Sequence, residues 1–409
     1  MTIAVSVIMN SHNKYPQNLL SLYALEHQNF DLSKLEVILI DDASTDETPL
    51  LNCYTPPYTF RYIRCEENVG RSKAKNMGIY ASQGDVLIIL DAEMLVGPEF
   101  VQQHYQYHQT DDHLIVTGCT NHYGVYTVVD YGMDKKDFAK FSALAKRKLS
   151  RLPRNTREIV KKSILKQTGA EQVNQKFAIF TKDDIKSLKY KPLSFLQGGW
   201  GTEIIAAFGC EFNGFYGPWM FVVTRNISVK RTTFDVVGPF YEEFNGWGYE
   251  DWEFGYRVHK YGGKILEVPH IPVYHQEHAK SAFNIYKEGY INYLKFYEKH
   301  MSFEVGVTSL KYVDYRYGYS LLDFNELVQE FYALQQEYSK ESENVRNCYL
   351  QLFKTIAVLA AAAQPIIQLV ANSGIDNDQL ESILAEIQIF RQIGKYGRLM
   401  NTLEFLLRK

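Results

Sequence analysis

Val86-Leu87-Ile88-Ile89-Leu90-Asp91-Ala92-Glu93-Met94 is a continuous apolar run that ends on two carboxylates one residue apart. An unbroken run of five apolar residues predicts a strand buried on both faces, as in the middle of a parallel sheet. Ligands of open α/β sheets collect beyond the carboxyl ends of such strands, so Asp91 and Glu93 are expected on the floor of a crevice. Hard carboxylate oxygens there suit Mg2+ or Mn2+, and a cation so held suits a diphosphate. Taken alone, D-x-E after a strand reads better as a polar turn or a helix cap, so the neighbouring segments decide.

Upstream, the same design repeats. Ala4 to Met9 is apolar and runs into Asn10-Ser11-His12-Asn13, followed by a helical spacing at Leu19, Leu20, Leu22 and Leu25. Leu35 to Ile40 ends at Asp41-Asp42, with Ser44-Thr45-Asp46-Glu47 capping the next helix; Arg61 to Arg64 is a third, shorter strand, and Ser72 to Ala81 a helix. Alternation at this spacing predicts an α/β fold with a mostly parallel, Rossmann-like sheet. The polar strand ends Asn10, Asp42 and Asp91 then line one edge. A carboxylate there can accept from a uracil N–H or a ribose hydroxyl, and Arg71 or Lys75 can pair with phosphate.

The segments Ser6–Lys14 (SVIMNSHNK), Ile38–Thr48 (ILIDDASTDET) and Glu67–Met94 (ENVGRSKAKNMGIYASQGDVLIILDAEM) resemble the successive signatures of inverting GT-A glycosyltransferases. That family holds chondroitin, hyaluronan and teichoic-acid sugar transferases. The resemblance implies that Asp42 contacts the uracil and that Asp91 with Glu93 holds the metal on the UDP diphosphate. Glu93 stands where the family pattern has Asp, which adds a methylene of reach.

Downstream, Leu196 to Phe215 is rich in glycine and aromatics and reads as a loop, and Trp219 to Val223 reads as a strand. Asn245–Arg257 (NGWGYEDWEFGYR) sets an aromatic plate beside two adjacent acids at a helix start. Trp247 can stack on the C–H face of a sugar while Glu250 or Asp251 accepts from hydroxyls, and a single carboxylate suffices as base for an inverting transfer. The bland alternative is that the acids complement the helix N-terminus and the tryptophan is core. This segment also resembles the GWG-x-E-D stretch of β-1,4-galactosyltransferases and chondroitin-type polymerases. The likeness implies Asp251 as base, Glu250 as acceptor ligand and Trp247 as acceptor platform. By the same likeness the Tyr274-His275-Gln276-Glu277 string makes His275 a metal ligand, with His278 in reserve.

The whole chain has 409 residues and a net charge of -3, which offers no basic excess for nucleic acid. Its five cysteines are scattered, which suits a reducing compartment. The start of the chain lacks the pattern of a signal peptide and reads as a first strand. Thr355 to Ala371 contains Gln364, Pro365 and Gln368 and reads as a buried helix interrupted at the proline rather than a membrane span. Between Lys135 and Lys166 stand twelve Lys or Arg against Asp137 and Glu158, with an apolar stripe at Phe138, Phe141, Leu144, Ala145 and Leu149. This insert (about 134–168) is either a solvated helical excursion or a peripheral contact with anionic lipid or polymer. From Asp323 the pattern turns helical, with Leu327, Phe331, Leu334 and Tyr338 on one seam.

Together these features predict a GT-A catalytic domain over 1–322 and an α-helical C-terminal domain over 323–409, the latter packing on the former or forming a homodimer. The expected activity is metal-dependent inverting transfer from a UDP-sugar (Gal, GalNAc, GlcNAc or Glc) to a saccharide or polymer acceptor. Cell-envelope or capsular polysaccharide or teichoic-acid synthesis at the cytoplasmic side is the expected setting. A nucleotidyltransferase shares the strand-end acids but leaves the GWGYED segment unexplained; a non-catalytic sugar-binding or scaffold protein of the same fold is the other alternative.

Overall fold

The computed structural model of the chain describes residues 2–166, 176–197, 199–279, 285–313 and 320–409. The chain divides into two compact units: Met1–Thr202, Trp219–Glu243 and Phe254–Phe283 in one, Glu203–Pro218, Phe244–Glu253 and Asn284–Lys409 in the other.

The strands among the described residues all belong to the first unit. In chain order they are β1 (Val5–Ser11), β2 (Leu35–Asp41), β3 (Thr59–Arg64), β4 (Val86–Leu90), β5 (Met94–Val96), β6 (Leu114–Thr117), β7 (His122–Val125), β8 (Val128–Asp130), β9 (Lys176–Ala178), β10 (Ser194–Leu196), β11 (Asn226–Lys230), β12 (Lys264–Glu267) and β13 (Val273–Gln276). Seven form a sheet in the order β3-β2-β1-β4-β11-β6-β12. β1, β2, β3 and β4 run parallel, β11 runs against both β4 and β6, and β12 is again parallel to β6. Both faces are covered, as the unbroken apolar runs require. Val5, Val7, Met9, Val37 and Leu39 pack with Leu20, Leu22 and Leu25, whereas Ile38 and Ile40 pack with Ala74 of the helix Arg71–Ala81. That helix lies so close that a Cβ on Gly78 would come within 2.3 Å of Ile8 Cγ2.

A second sheet, β10-β7-β13-β5, is entered directly from β4. The turn Asp91 to Glu93, closed by Met94 N–H donating to the Asp91 carbonyl at 3.1 Å, carries the chain from one sheet to the other. β13 pairs with β5 on one side and β7 on the other, which sets His275 beside Met94 and opposite Gly124. A side chain at Gly124 would strike Phe195 and Gln197 of the neighbouring strand region, each at 2.5 Å.

The basic insert forms two helices, Lys135–Lys148 and Arg154–Lys166; positions 167 and 168 of the expected insert lie outside the described residues. Phe138, Phe141, Leu144 and Ala145 are buried in the main core with Leu152 and Val160, so the apolar stripe faces inward. Lys135, Lys136, Lys146, Arg147, Arg151 and Arg154 remain exposed on the outside.

Two local expectations are corrected. Trp219 to Val223 is no strand: Pro218–Phe221 forms a 3-10 turn, although Trp219, Met220, Phe221 and Val222 are buried as the apolar run suggested. A short apolar run does not separate strand from buried turn, and Pro218 at the first position favours the turn. Within the glycine-rich stretch, Thr202–Phe208 is a helix, because Glu203 to Phe208 contains neither glycine nor proline.

The second unit is helical in the described residues beyond 284. Its longest elements are Ile285–His300, Leu321–Glu337, Glu343–Ala361 and Asn377–Ile393. Leu327, Phe331 and Leu334 are buried, and Phe331 stacks on Phe303 with ring centres 3.7 Å apart. The helix through Thr355 stops at Ala361, before Pro365, and helical structure resumes at Leu369. No helix among the described residues is long and apolar enough to cross a membrane.

Candidate active site

Glu93, at the end of the turn between the two sheets, is brought to the end of β13 by backbone pairing, with Gln276 N–H donating to the Glu93 carbonyl at 2.9 Å. Its carboxylate then lies 3.9 Å from His275 Nε2 and 3.5 Å from His278 Nε2. One donor atom from each of the three falls within 4.8 Å of the others, close enough to surround one cation. The protons are arranged for that use. His275 Nδ1 lies 2.9 Å from Glu277 Oε1, and His278 Nδ1 lies 2.8 Å from the Ala279 carbonyl. Both partners only accept, so each neutral ring carries its proton on Nδ1 and keeps its Nε2 lone pair for a ligand. Glu277 is itself held by Gln197 Nε2 at 2.5 Å, the supporting layer that orients metal-binding histidines in general. Two imidazoles and one carboxylate fit a divalent cation that keeps further positions for water or phosphate oxygens.

A fourth side chain enters this group. Lys14 Nζ lies 2.7 Å from Glu93 Oε1 and 2.7 Å from His278 Nε2. Burial pushes the Glu93 carboxyl up, but Lys14, His278 and His275 outweigh it and hold the group well below the usual carboxylate range. Lys14 is delivered by a tight seam between the loops after β1 and β2. Asn13, in the left-handed region at φ 56°, accepts from Thr45 N–H at 2.7 Å, and Tyr15 N–H donates to Asp46 Oδ2 at 2.8 Å. Asparagine tolerates that conformation at little cost.

Of the expected metal ligands, Glu93 and His275 stand together with His278, and Asp91 is outside that group. Asp91 is half-buried two residues earlier, and its carboxylate makes no hydrogen bond or ion pair with the described residues.

Along the sheet edge, the register of β1 and β2 pairs Asn10 with Ile40 and Ser11 with Asp41, so Asn10 and Asp42 end adjacent strands. The Asn10 amide oxygen is buried without a hydrogen-bond partner among the described residues. Asp42 accepts from Val69 N–H at 2.6 Å and Gly70 N–H at 3.1 Å, one on each oxygen, and so fixes the turn before the helix Arg71–Ala81. Each oxygen keeps a second lone pair. Arg71 is exposed at the helix start; Lys75 is buried, its ammonium 5.3 Å from the centre of the Phe240 ring.

The GWGYED segment lies in the second unit. Gly246, Gly248 and Tyr249 all have positive φ, which folds the backbone into a tight arch. The arch is pinned by Trp247 N–H donating to Glu288 Oε2 at 2.9 Å and Asn292 Nδ2 donating to the Asn245 carbonyl at 2.9 Å. Gly246 is required there, since a Cβ would meet the Glu288 carboxylate at 2.5 Å. Trp247 packs against Gly289 yet stays 45% exposed. Glu250 is buried and Asp251 half-buried in the first turn of the helix Glu250–Lys260.

Residues 6–168 match the family described as Glycosyl transferase family 2, and residues 208–280 match the N-terminal domain of galactosyltransferase. This chain is similar to family 2 glycosyltransferases over residues 6–168, less than half of its length. The mixed α/β architecture, the mostly parallel sheet and the helical C-terminal region are those expected of a GT-A enzyme. It is 28% identical over 283 residues to the uncharacterized glycosyltransferase YfnE of Bacillus subtilis, covering 68% of this chain and 66% of that protein. It is 27% identical over 278 residues to the hyaluronan synthase of Pasteurella multocida, covering 67% of this chain but 25% of the synthase. Among solved structures, GalNAc-T7 with UDP, GalNAc and Mn2+ aligns at TM-score 0.42 and 16% identity, over 73% of this chain and 48% of that one.

Sequence reasoning passed over Lys14 and Glu277. Both stand inside quoted strings, SHNK and YHQEH, but a lysine ending a polar loop and a glutamate between histidines are commonplace. Only strand pairing shows what they touch.

Proposed function

We propose that the enzyme transfers a hexose from a UDP-sugar to a hydroxyl of a saccharide or polymer acceptor, with inversion and with a divalent cation, Mn2+ or Mg2+. The observation that carries this reading is the convergence of Glu93, His275 and His278 with both Nε2 lone pairs free of ring protons. These three residues would hold the cation, with Asp91 beside the same strand end. When bound, a divalent cation supplies Lewis-acid neutralisation of the charge that develops on departing UDP. The chain's own residues do the rest. Asn10 offers a buried acceptor oxygen and Asp42 its remaining lone pairs to the nucleoside, and Arg71 and Lys75 supply positive charge. Trp247 presents its exposed indole to an acceptor sugar, Glu250 accepts from its hydroxyls, and Asp251 takes the proton of the attacking hydroxyl. One base is enough for inversion. The named activity of the hyaluronan synthase relative supports a polysaccharide product, and the outward charge of the insert supports an anionic surface or polymer nearby, met through charge alone because the apolar stripe is buried.

The test is thermal unfolding with UDP-Gal, UDP-GalNAc, UDP-GlcNAc and UDP-Glc, each with and without Mn2+, followed by UDP release with the best donor. One UDP-sugar should stabilise the protein only with Mn2+, E93Q should lose that stabilisation, and D251N should keep it while losing at least about a hundredfold in turnover. Stabilisation by no UDP-sugar, or full turnover in D251N, rejects the reading.

A further inference from the structure

The His278 ring has one lone pair to offer, because its Nδ1 proton is committed to the Ala279 carbonyl, and that lone pair already receives a hydrogen bond from Lys14 Nζ at 2.7 Å. An ammonium carries three donors and no acceptor. A divalent ion would need the same Nε2 lone pair at a bond length of roughly 2.0–2.2 Å, so ion and ammonium exclude each other at His278. They compete at Glu93 as well, where Lys14 lies 2.7 Å from Oε1. Resting on the metal-site reading above, we propose that Lys14 is a tethered cation that occupies the Glu93–His278 pair in place of the divalent ion and sets the affinity with which that ion binds.

The surroundings permit the exchange. The backbone on either side of Lys14 is fixed, by Asn13 N–H donating to Ser44 Oγ at 2.9 Å and Tyr15 N–H to Asp46 Oδ2 at 2.8 Å. Displacement therefore means rotation of one flexible side chain, 21% exposed, with no change in the loop. With Lys14 in place the lone carboxylate is neutralised. An incoming ion must break two hydrogen bonds before it gains its ligands.

The experiment is Mn2+ binding to the full chain without nucleotide, followed by the electron paramagnetic resonance signal of free Mn2+ and by calorimetry. Wild type, K14M, K14Q and E93Q are compared, with circular dichroism showing that each is folded. K14M and K14Q should each bind Mn2+ at least about tenfold tighter than wild type, since a charge-assisted hydrogen bond no longer opposes the ion. E93Q should bind weakly. Unchanged or weaker Mn2+ binding in both Lys14 variants, with E93Q still impaired, overturns the role of Lys14 and leaves the metal site standing. Absence of Mn2+ binding in all four proteins overturns both.

Discussion

Removing the Glu277 carboxylate should weaken cation binding without unfolding the protein. Glu277 Oε1 holds the His275 Nδ1 proton at 2.9 Å and is braced by Gln197 Nε2 at 2.5 Å. In E277A the ring loses the partner that selects its tautomer and fixes its plane. Losses of this kind cost about 10–100-fold in metal affinity, or about 1.4–2.7 kcal/mol. E277Q keeps an acceptor oxygen in reach of Nδ1–H and loses only charge, so its affinity should fall between E277A and wild type. The strand itself should hold, because Glu277 N–H remains bonded to the Val125 carbonyl at 2.9 Å and Gln276 N–H to the Glu93 carbonyl at 2.9 Å. Calorimetric titration with Mn2+, alongside urea unfolding, separates the two effects. E277A binding Mn2+ as wild type does would refute the assignment of Glu277 as the orienting partner; a collapse of stability in E277A would show its role to be structural instead.

Two further outcomes test the scaffold. Gly78→Ala should cost about 1–3 kcal/mol in urea unfolding despite alanine's better helix propensity, because the new methyl meets Ile8 Cγ2 at 2.3 Å in a packed sheet–helix contact; equal stability would mean that β1 and the helix can part. Burial pushes His104 down to about 3 and His108 down to about 4, where Ser228 Oγ bridges them at 2.8 Å each. Between about pH 6.5 and 4 the unfolded chain takes up protons that the folded chain refuses, so stability falls as pH falls, by up to ~1.4 kcal/mol per pH unit per site. Urea unfolding at pH 7 and pH 4.5 should show this loss, and H108Q should show less of it; an identical pH dependence in H108Q would remove His108 from the account.

Much of the fold was legible because strands buried on both faces leave an unbroken apolar record, as in Val86 to Leu90, and because polar residues mark where each strand stops. The parallel arrangement followed from the alternation of strand and helix. The departures lie where the local signal is weak: the apolar run at Trp219 to Val223 fits a buried turn as well as a strand, and the glycine-rich stretch from Leu196 to Phe215 hides the short helix Thr202–Phe208. At the candidate site, the strings single out Glu93 and His275 as proposed ligands, yet their meeting depends on β5 lying against β13. Lys14 was unreadable for a similar reason. Its place is set by hydrogen bonds between two loops, and no local pattern encodes which acid a lysine will reach.

Gly124 contributes no functional group, yet it faces His275 across the ladder and leaves the room in which Phe195 and Gln197 sit. Gln197 steadies Glu277, and Glu277 steadies the imidazole. On the proposed reading, cation affinity can therefore be spoiled from a position that is none of the ligands, and a survey of functional residues that scores only reactive side chains would miss it.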